Sequence, residues 1–339
     1  MNETRMNVLL QSDDRYAAVT GVCLCSLLEN NRGAQELHIY LIDESIGEEN
    51  RNKLRALAAH YGRSLDFLDM SALSARLAAE GAPRWLGSYA AYGRLFAPGM
   101  IEEEIDRLLY LDSDTLVTAD LGELYNMDME GKVCAMVQDT AAYRFYRYLG
   151  HCPDEPYFNS GVILFDVAQW KRLDCEAAVF PFLRAFGTQP IFPDQDALNY
   201  ILRGKIKKLS PRYNFFVPLL TSGLDTAYYA YALDKKPGYY SREEMREAGQ
   251  NAAIYHYSSV VKPWIVGTRC ARTALWEHYW QLSPWAGQQR RRKREQPLWT
   301  RMQTALYERG GAHLLRAAHL LSVYALAPLT RQQRKRRSK

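Results

Sequence analysis

Short apolar runs alternate with segments of helical period from Met6 to Glu80, and no other feature of the chain constrains its fold as tightly. Met6 to Leu10 reads as a strand. The polar stretch Gln11-Ser-Asp-Asp-Arg-Tyr16 turns from it into a helix on which Ala18, Val22, Cys25 and Leu28 recur. Leu37 to Ile42, ended by Asp43, and Leu65 to Leu68 read as two further strands. Glu48 to Tyr61, with Leu54, Leu57, Ala58 and Tyr61 on one stripe, and Ser71 to Glu80 read as two further helices. This β-α-β-α-β-α order predicts an α/β fold with a doubly wound, mostly parallel sheet flanked by helices. A chain of 339 residues can fill one large domain of this kind or two smaller ones. No G-x-G-x-x-G follows the first strand and no G-x-x-x-x-G-K-[ST] occurs, which argues against dinucleotide and P-loop chemistry.

In open α/β sheets ligands bind beyond the carboxyl ends of strands, so acidic residues at those ends are the first candidates for chemistry. The strongest stretch is Leu109-Tyr-Leu-Asp-Ser-Asp-Thr-Leu-Val117, where Asp112 and Asp114 close an apolar run. Positions i and i+2 of an extended segment share a face, so the two carboxylates can converge on one hard cation. Asp-Ser-Asp also suits the cap of a turn. Asp13 stands at the end of the first strand, either facing a ligand or capping the helix. Lys132 to Val137 is a strand ending in Gln138-Asp139, and Arg94 lies on a short helix, able to meet an anion or to stand in solvent.

Tyr157-Phe-Asn-Ser-Gly161 introduces the apolar run Val162 to Phe165, and Asn159 with Gly161 offers exposed amides on a tight backbone. Phe192-Pro-Asp-Gln-Asp-Ala-Leu-Asn199 opens a helix to about Leu202 and carries more polar groups, Asp194 and Gln195 among them, than capping needs. Ile206 to Leu209 reads as a strand. Val217 to Tyr240 reads as irregular and Tyr-rich, suited to stacking on a flat ligand or to a satellite core cluster. Ala252 to Tyr257 is a strand bearing His256, followed by Ser259 and by Lys262 before Pro263.

Six motifs in this order, Ser12 to Ala17, Leu109 to Asp114, Tyr157 to Gly161, Asp194 to Asp196, Arg212 to Phe215, and Ile254 to Tyr257 with Lys262-Pro-Trp264, resemble those of the retaining glycosyltransferases of family 8, a group that includes lipopolysaccharide galactosyltransferases and glycogenin. The resemblance covers about Met6 to Trp264 and implies a GT-A fold, Rossmann-like, that binds a UDP-sugar and a divalent cation, Mn²⁺ with Mg²⁺ as the alternative. It implies Asp112, Asp114 and His256 as metal ligands, a set of oxygen and nitrogen donors that Mn²⁺ accepts. It implies that Asp13 reads the base and that Lys262 meets the diphosphate. Arg94, Asp139, Asn159, Asp194 and Gln195 match donor-sugar contacts, with Ser160, Gly161 and Ser259 beside them. Arg15 stands where the family commonly has Asn, and Ser259 where it commonly has Gly. At the far face of the sugar the resemblance puts Gln195, a poor nucleophile, with Asp194 beside it, which favours same-face attack over a covalent intermediate. The expected reaction moves galactose or glucose from UDP to a cell-envelope glycolipid or oligosaccharide. Self- or protein-glycosylation and a non-catalytic nucleotide-sugar-binding role are the alternatives.

Charge divides the chain unevenly. From Trp285 onward there are 14 Lys and Arg against 2 Asp and Glu, leaving 29 against 36 in the preceding residues. A boundary is therefore expected at 284/285, between the transferase domain and a basic C-terminal segment of residues 285–339. Gln288 to Arg294 and Arg331 to Lys339 bracket helical stretches with Trp299, Met302 and Leu306, then Leu314 and Leu321. Arg316 and His319 interrupt the apolar run, so the segment is expected to lie on an anionic membrane surface and not to span it. An acidic body without a nucleic-acid signature argues against nucleic acid as partner. The first residues carry no secretory signal and the six cysteines are scattered, so a reducing cytoplasm, at the inner face of the cell membrane, is the expected location.

Overall fold

The N-terminal alternation folds as β1 (Met6–Asp13), α1 (Ala17–Asn30), β2 (Leu37–Glu44), α2 (Glu48–His60), β3 (Ser64–Asp69) and α3 (Ser71–Ala79) in a computed structural model that describes residues 5–84, 88–187, 189–190 and 192–326. Helix α4 (Gly93–Met100) then precedes β4 (Arg107–Leu111) and β5 (Thr115–Val117). The remaining strands are β6 (Cys134–Gln138), β7 (Phe158–Asp166), β8 (Ile206–Lys208), β9 (Phe215–Phe216) and β10 (Ile254–His256). Seven strands form one sheet in the order β3-β2-β1-β4-β7-β6-β8, and β5-β10-β9 form a second, smaller one.

Within the large sheet every neighbour pair is parallel except β4–β7 and β6–β7, so β7 alone runs against the rest. The mixed, mostly parallel sheet flanked by helices is the expected fold. Successive side chains of a strand point to opposite faces, and the core divides accordingly. Val8, Leu10, Leu109 and Leu111 pack on one face with α1 and α2, while Leu9, Leu108 and Tyr110 pack on the other with α4. Burial on both faces explains why these strands read as continuous apolar runs.

The segment from Val217 to Tyr240 is helical where an irregular stretch is expected, over Val217–Thr221 and Leu224–Tyr231. Two of its tyrosines are core residues with satisfied hydroxyls: Tyr228 donates to the Tyr240 carbonyl at 2.7 Å and Tyr240 to the Leu209 carbonyl at 2.7 Å. All six cysteines are free, five of them buried.

From residue 267 to residue 326 the described chain packs on the body. Trp285 is 1% exposed and packs on Gly21 of α1, and its indole N–H donates to Asn50 Oδ1 at 3.0 Å. Helices Leu298–Arg309 and Ala312–Leu321 follow. Among the described residues no helix is long and apolar enough to cross a membrane. The first residues Met1–Thr4, residues 85–87 of the stretch expected as a loop from its Gly and Pro content, and the basic run Arg331–Lys339 lie outside the described residues.

Candidate active site

Parallel strands bring Asp13, Asp112 and Asp139 to one edge of the sheet, at or just beyond the ends of β1, β4 and β6. Reversed β7 begins at that same edge, which delivers Asn159 and Ser160 beside them. A cavity of about 680 Å³ opens there, a size suited to a small-molecule ligand. Its walls include Asp13, Arg94, Asp139, Asn159, Ser160 and Ser259, together with Asp112, Asp114, Asp194, Gln195 and His256.

Asp112-Ser-Asp114 is a turn between β4 and β5, closed by the Thr115 N–H on the Asp112 carbonyl at 3.0 Å. The two carboxylates thus converge across a turn and not along an extended face. The capping and cation readings of this triplet are therefore compatible. Pairing of β5 with β10 sets His256 opposite Thr115, and the Tyr257 N–H reaches the Asp114 carbonyl at 2.9 Å.

Each carboxylate has one oxygen engaged and one left facing the histidine. Asp112 Oδ1 accepts from the Tyr110 hydroxyl at 2.6 Å and pairs with Arg94 at 3.0 Å. Its Oδ2 lies 3.8 Å from His256 Nε2. Asp114 Oδ2 pairs with Lys262 Nζ at 2.6 Å, and its Oδ1 lies 3.2 Å from the same nitrogen. Three potential ligand atoms therefore meet, all within 4.8 Å of one another. Burial raises the Asp114 pKa, but the Lys262 ammonium and His256 outweigh it and hold the carboxyl below its usual range. Burial likewise opposes the charge of Arg94 and Lys262, and the Asp112 and Asp114 carboxylates reverse that effect.

A row of carboxamides holds the histidine from behind. His256 Nδ1 lies 2.8 Å from Asn214 Oδ1, Asn214 Nδ2 donates to Asn159 Oδ1 at 2.8 Å, and Asn159 Nδ2 donates to Asp139 Oδ2 at 2.8 Å. An Asn214 oxygen can only accept, so Nδ1 carries a proton and Nε2 is the ring nitrogen turned toward Asp112 and Asp114, the one available to a cation. This donor set fits a divalent cation: two carboxylate oxygens and an imidazole nitrogen whose other nitrogen is already engaged. Gly161 is needed at its place because a Cβ there would lie 2.3 Å from His256 Cε1.

Gln195 is pinned on both ends of its amide. Its oxygen accepts from Asn159 Nδ2 and from the Ser160 N–H, each at 3.1 Å, and its nitrogen donates to Asp139 Oδ2 at 3.3 Å. Asp194 accepts from the Ser160 hydroxyl at 2.7 Å and pairs with Arg94 at 3.2 Å. Arg94 is buried between two acids and is not a solvated surface residue.

Three of the expected site residues do not line the cavity: Arg15 is exposed, Gly161 lies behind His256, and Lys262 stands behind Asp114. Asp13 lines it while its Oδ1 also accepts from the Tyr16 N–H at 2.8 Å, so it serves the turn as well. Asn214 was legible only as part of the Arg212 to Phe215 motif, and Tyr307 and His319 of the C-terminal helices, which also line the cavity, carried no local signal.

The profile of Glycosyl transferase family 8 matches residues 7–266. General stress protein A of Bacillus subtilis (strain 168) is 28% identical over 283 residues, covering 83% of this chain and 94% of that protein. Lipopolysaccharide 1,2-glucosyltransferase of Escherichia coli (strain K12) is 25% identical over 263 residues, covering 76% and 72%. Among solved structures, the galactosyltransferase LgtC in complex with donor and acceptor sugar analogs aligns with a TM-score of 0.67 at 23% identity, over 82% of this chain and 96% of that one.

Proposed function

For a chain that belongs to glycosyl transferase family 8, we propose a metal-dependent, retaining transfer of galactose or glucose from a UDP-sugar to a cell-envelope glycolipid or oligosaccharide. The observation that carries this reading is the convergence of Asp112 Oδ2, Asp114 Oδ1 and His256 Nε2, each with its other polar atom already engaged, in a cavity that also holds Asp194 and Gln195. These three residues would hold a divalent cation, Mn²⁺ or Mg²⁺, which supplies a counter-charge for a diphosphate leaving group.

The chain's own residues do the rest. Asp13 faces the nucleotide and Arg94, Asp139, Asn159 and Ser160 the donor sugar. The Lys262 ammonium adds positive charge behind Asp114 on the diphosphate side. Gln195 Oε1 already accepts two N–H groups, and Asp194 is paired with Arg94, so neither offers a free carboxylate nucleophile. This supports same-face attack. The bond from the anomeric carbon to the UDP oxygen breaks with its electron pair going to the diphosphate. The acceptor oxygen bonds the same carbon, and its proton passes to a diphosphate oxygen.

Release of UDP across a panel of UDP-sugars, with Mn²⁺ and with chelator, tests the reading. Turnover of at least one donor that chelator stops is expected; no turnover with any donor refutes it. Asn214→Ala is expected to weaken Mn²⁺ binding in the presence of UDP by about 10- to 100-fold, because the imidazole loses the partner that fixes its tautomer. Calorimetric titration of the folded variant checks this, and an unchanged metal affinity would remove Asn214 from that role.

Residues 285–339 we assign to an anionic membrane surface. Leu298, Trp299, Met302, Leu314 and Leu321 are each more than half exposed, an apolar set that supports this. Truncation after Leu326 removes six Lys and Arg, each worth about 1 kcal/mol near an anionic leaflet. Binding to vesicles rich in phosphatidylglycerol is expected to weaken by at least about a hundredfold. Equal co-sedimentation of both proteins would refute the assignment.

A further inference from the structure

The helices that follow residue 266, outside the family match, contribute to the cavity as well as to the surface. Tyr307, near the end of Leu298–Arg309, and His319, near the end of Ala312–Leu321, both line it. They are held in place from several sides. Glu308 pairs with Lys293 at 2.5 Å and accepts the Arg269 N–H at 2.7 Å, and Arg316 donates to the Tyr229 carbonyl at 2.7 Å. Tyr231 donates to the Tyr307 hydroxyl at 3.3 Å, and Leu315 is 2% exposed.

The His319 ring stands edge-on to Tyr231, with centroids 4.9 Å apart, and to Phe145 at 6.5 Å. All four rings line one cavity with Asp194 and Gln195. Among the described residues neither nitrogen of His319 has a hydrogen-bond partner. Burial, with the neighbouring Arg316 and Lys236 cations, pushes its pKa down to about 4, so the ring is neutral around pH 7. A neutral imidazole offers one donor and one acceptor, the complement of a hydroxyl. Aromatic faces beside it suit the C–H face of a pyranose.

We propose that Tyr307 and His319, with Tyr231 and Phe145, form the acceptor-sugar subsite, so that the C-terminal helical pair selects the glycan that receives the transferred hexose. The subsite rests on the transferase reading above. It divides labour within the cavity: the sheet edge holds donor and cation, and the appended helices receive the acceptor ring, with His319 bonding one of its hydroxyls.

Saturation-transfer NMR on the full chain with UDP and Mg²⁺, using methyl β-glucoside, methyl β-galactoside and methyl β-lactoside as probes, tests this. Transfer from protein aromatic protons onto the ring protons of at least one glycoside is expected. His319→Ala and Tyr307→Ala should each raise the Kd for that glycoside roughly tenfold, the loss of about one hydrogen bond or ring contact. The UDP Kd, read by calorimetry, should stay within about twofold, since these residues lie outside the groups assigned to the donor. Should His319→Ala unfold, His319→Phe keeps the packing on Tyr231, removes the nitrogens and is read the same way. Glycoside binding that the variants leave unchanged, equal losses of UDP and glycoside, or no glycoside signal while UDP is bound would each overturn the subsite. Failure of UDP itself to bind the native chain would instead refute the transferase reading, and the subsite with it.

Discussion

Asp114→Asn is expected to lower transfer about a thousandfold, the upper end of what removal of one charge-stabilising group costs. The substitution keeps shape and volume, so the turn that carries residue 114 has no steric reason to move. What changes is charge and lone pairs. One of three converging ligand atoms is lost or replaced by an N–H, and Lys262 loses the carboxylate 2.6 Å away. Lys262 also donates to the Tyr257 carbonyl, so its ammonium is not left without a partner and the fold is expected to survive. The measurement is kcat at saturating UDP-sugar and Mn²⁺, beside a thermal melt. A folded variant within tenfold of native activity would refute the ligand role of Asp114.

Trp285→Ala is expected to cost about 3–5 kcal/mol of folding stability, the range for truncating a large aromatic in a core. The indole is 1% exposed, and it sits so close to α1 that a Cβ on Gly21 would lie 2.1 Å from its ring. Truncation leaves a cavity against a rigid helix and strands Asn50 Oδ1, the acceptor of the indole N–H. Urea unfolding should show a lower midpoint at unchanged slope. A loss under about 1 kcal/mol would mean that residue 285 is peripheral to the core. Gly21→Ala should destabilise for the converse reason, because its methyl claims space the indole fills.

The strand and helix order was legible because buried strands and amphipathic helices leave different periods, and the acids at strand ends marked the ligand edge of an α/β sheet. The direction of β7 was not. An apolar run such as Val162 to Phe165 reads the same whichever way the strand lies, and only its neighbours β4 and β6 fix the reversal. Arg94 could not be told from a surface arginine because its partners, Asp112 and Asp194, are distant in sequence. Asn214 belongs to the same class: its contacts lie 42 and 55 residues away, beyond any local pattern. In the C-terminal segment, composition exposed the basic and apolar character but not which side chains turn inward. The tyrosines from Tyr228 to Tyr240 left two readings open, since a side chain that suits sugar stacking also suits a core; Tyr228 and Tyr240 take the core, where their hydroxyls find carbonyls, while Tyr231 lines the cavity.

The amide row behind His256 has a sense of direction. Its first member, the Asp139 carboxylate, can only receive hydrogens, so each asparagine turns its nitrogen toward that end and its oxygen toward the ring. No single amide can be inverted alone without setting oxygen against oxygen or nitrogen against nitrogen. The row therefore behaves as an aligned set with two collective states, of which the anionic terminus permits one. The Gly161 N–H, which donates to Asn159 Oδ1 at 2.9 Å, enforces the same sense, so the proton on the imidazole Nδ1 is set by groups two links beyond that nitrogen's own partner.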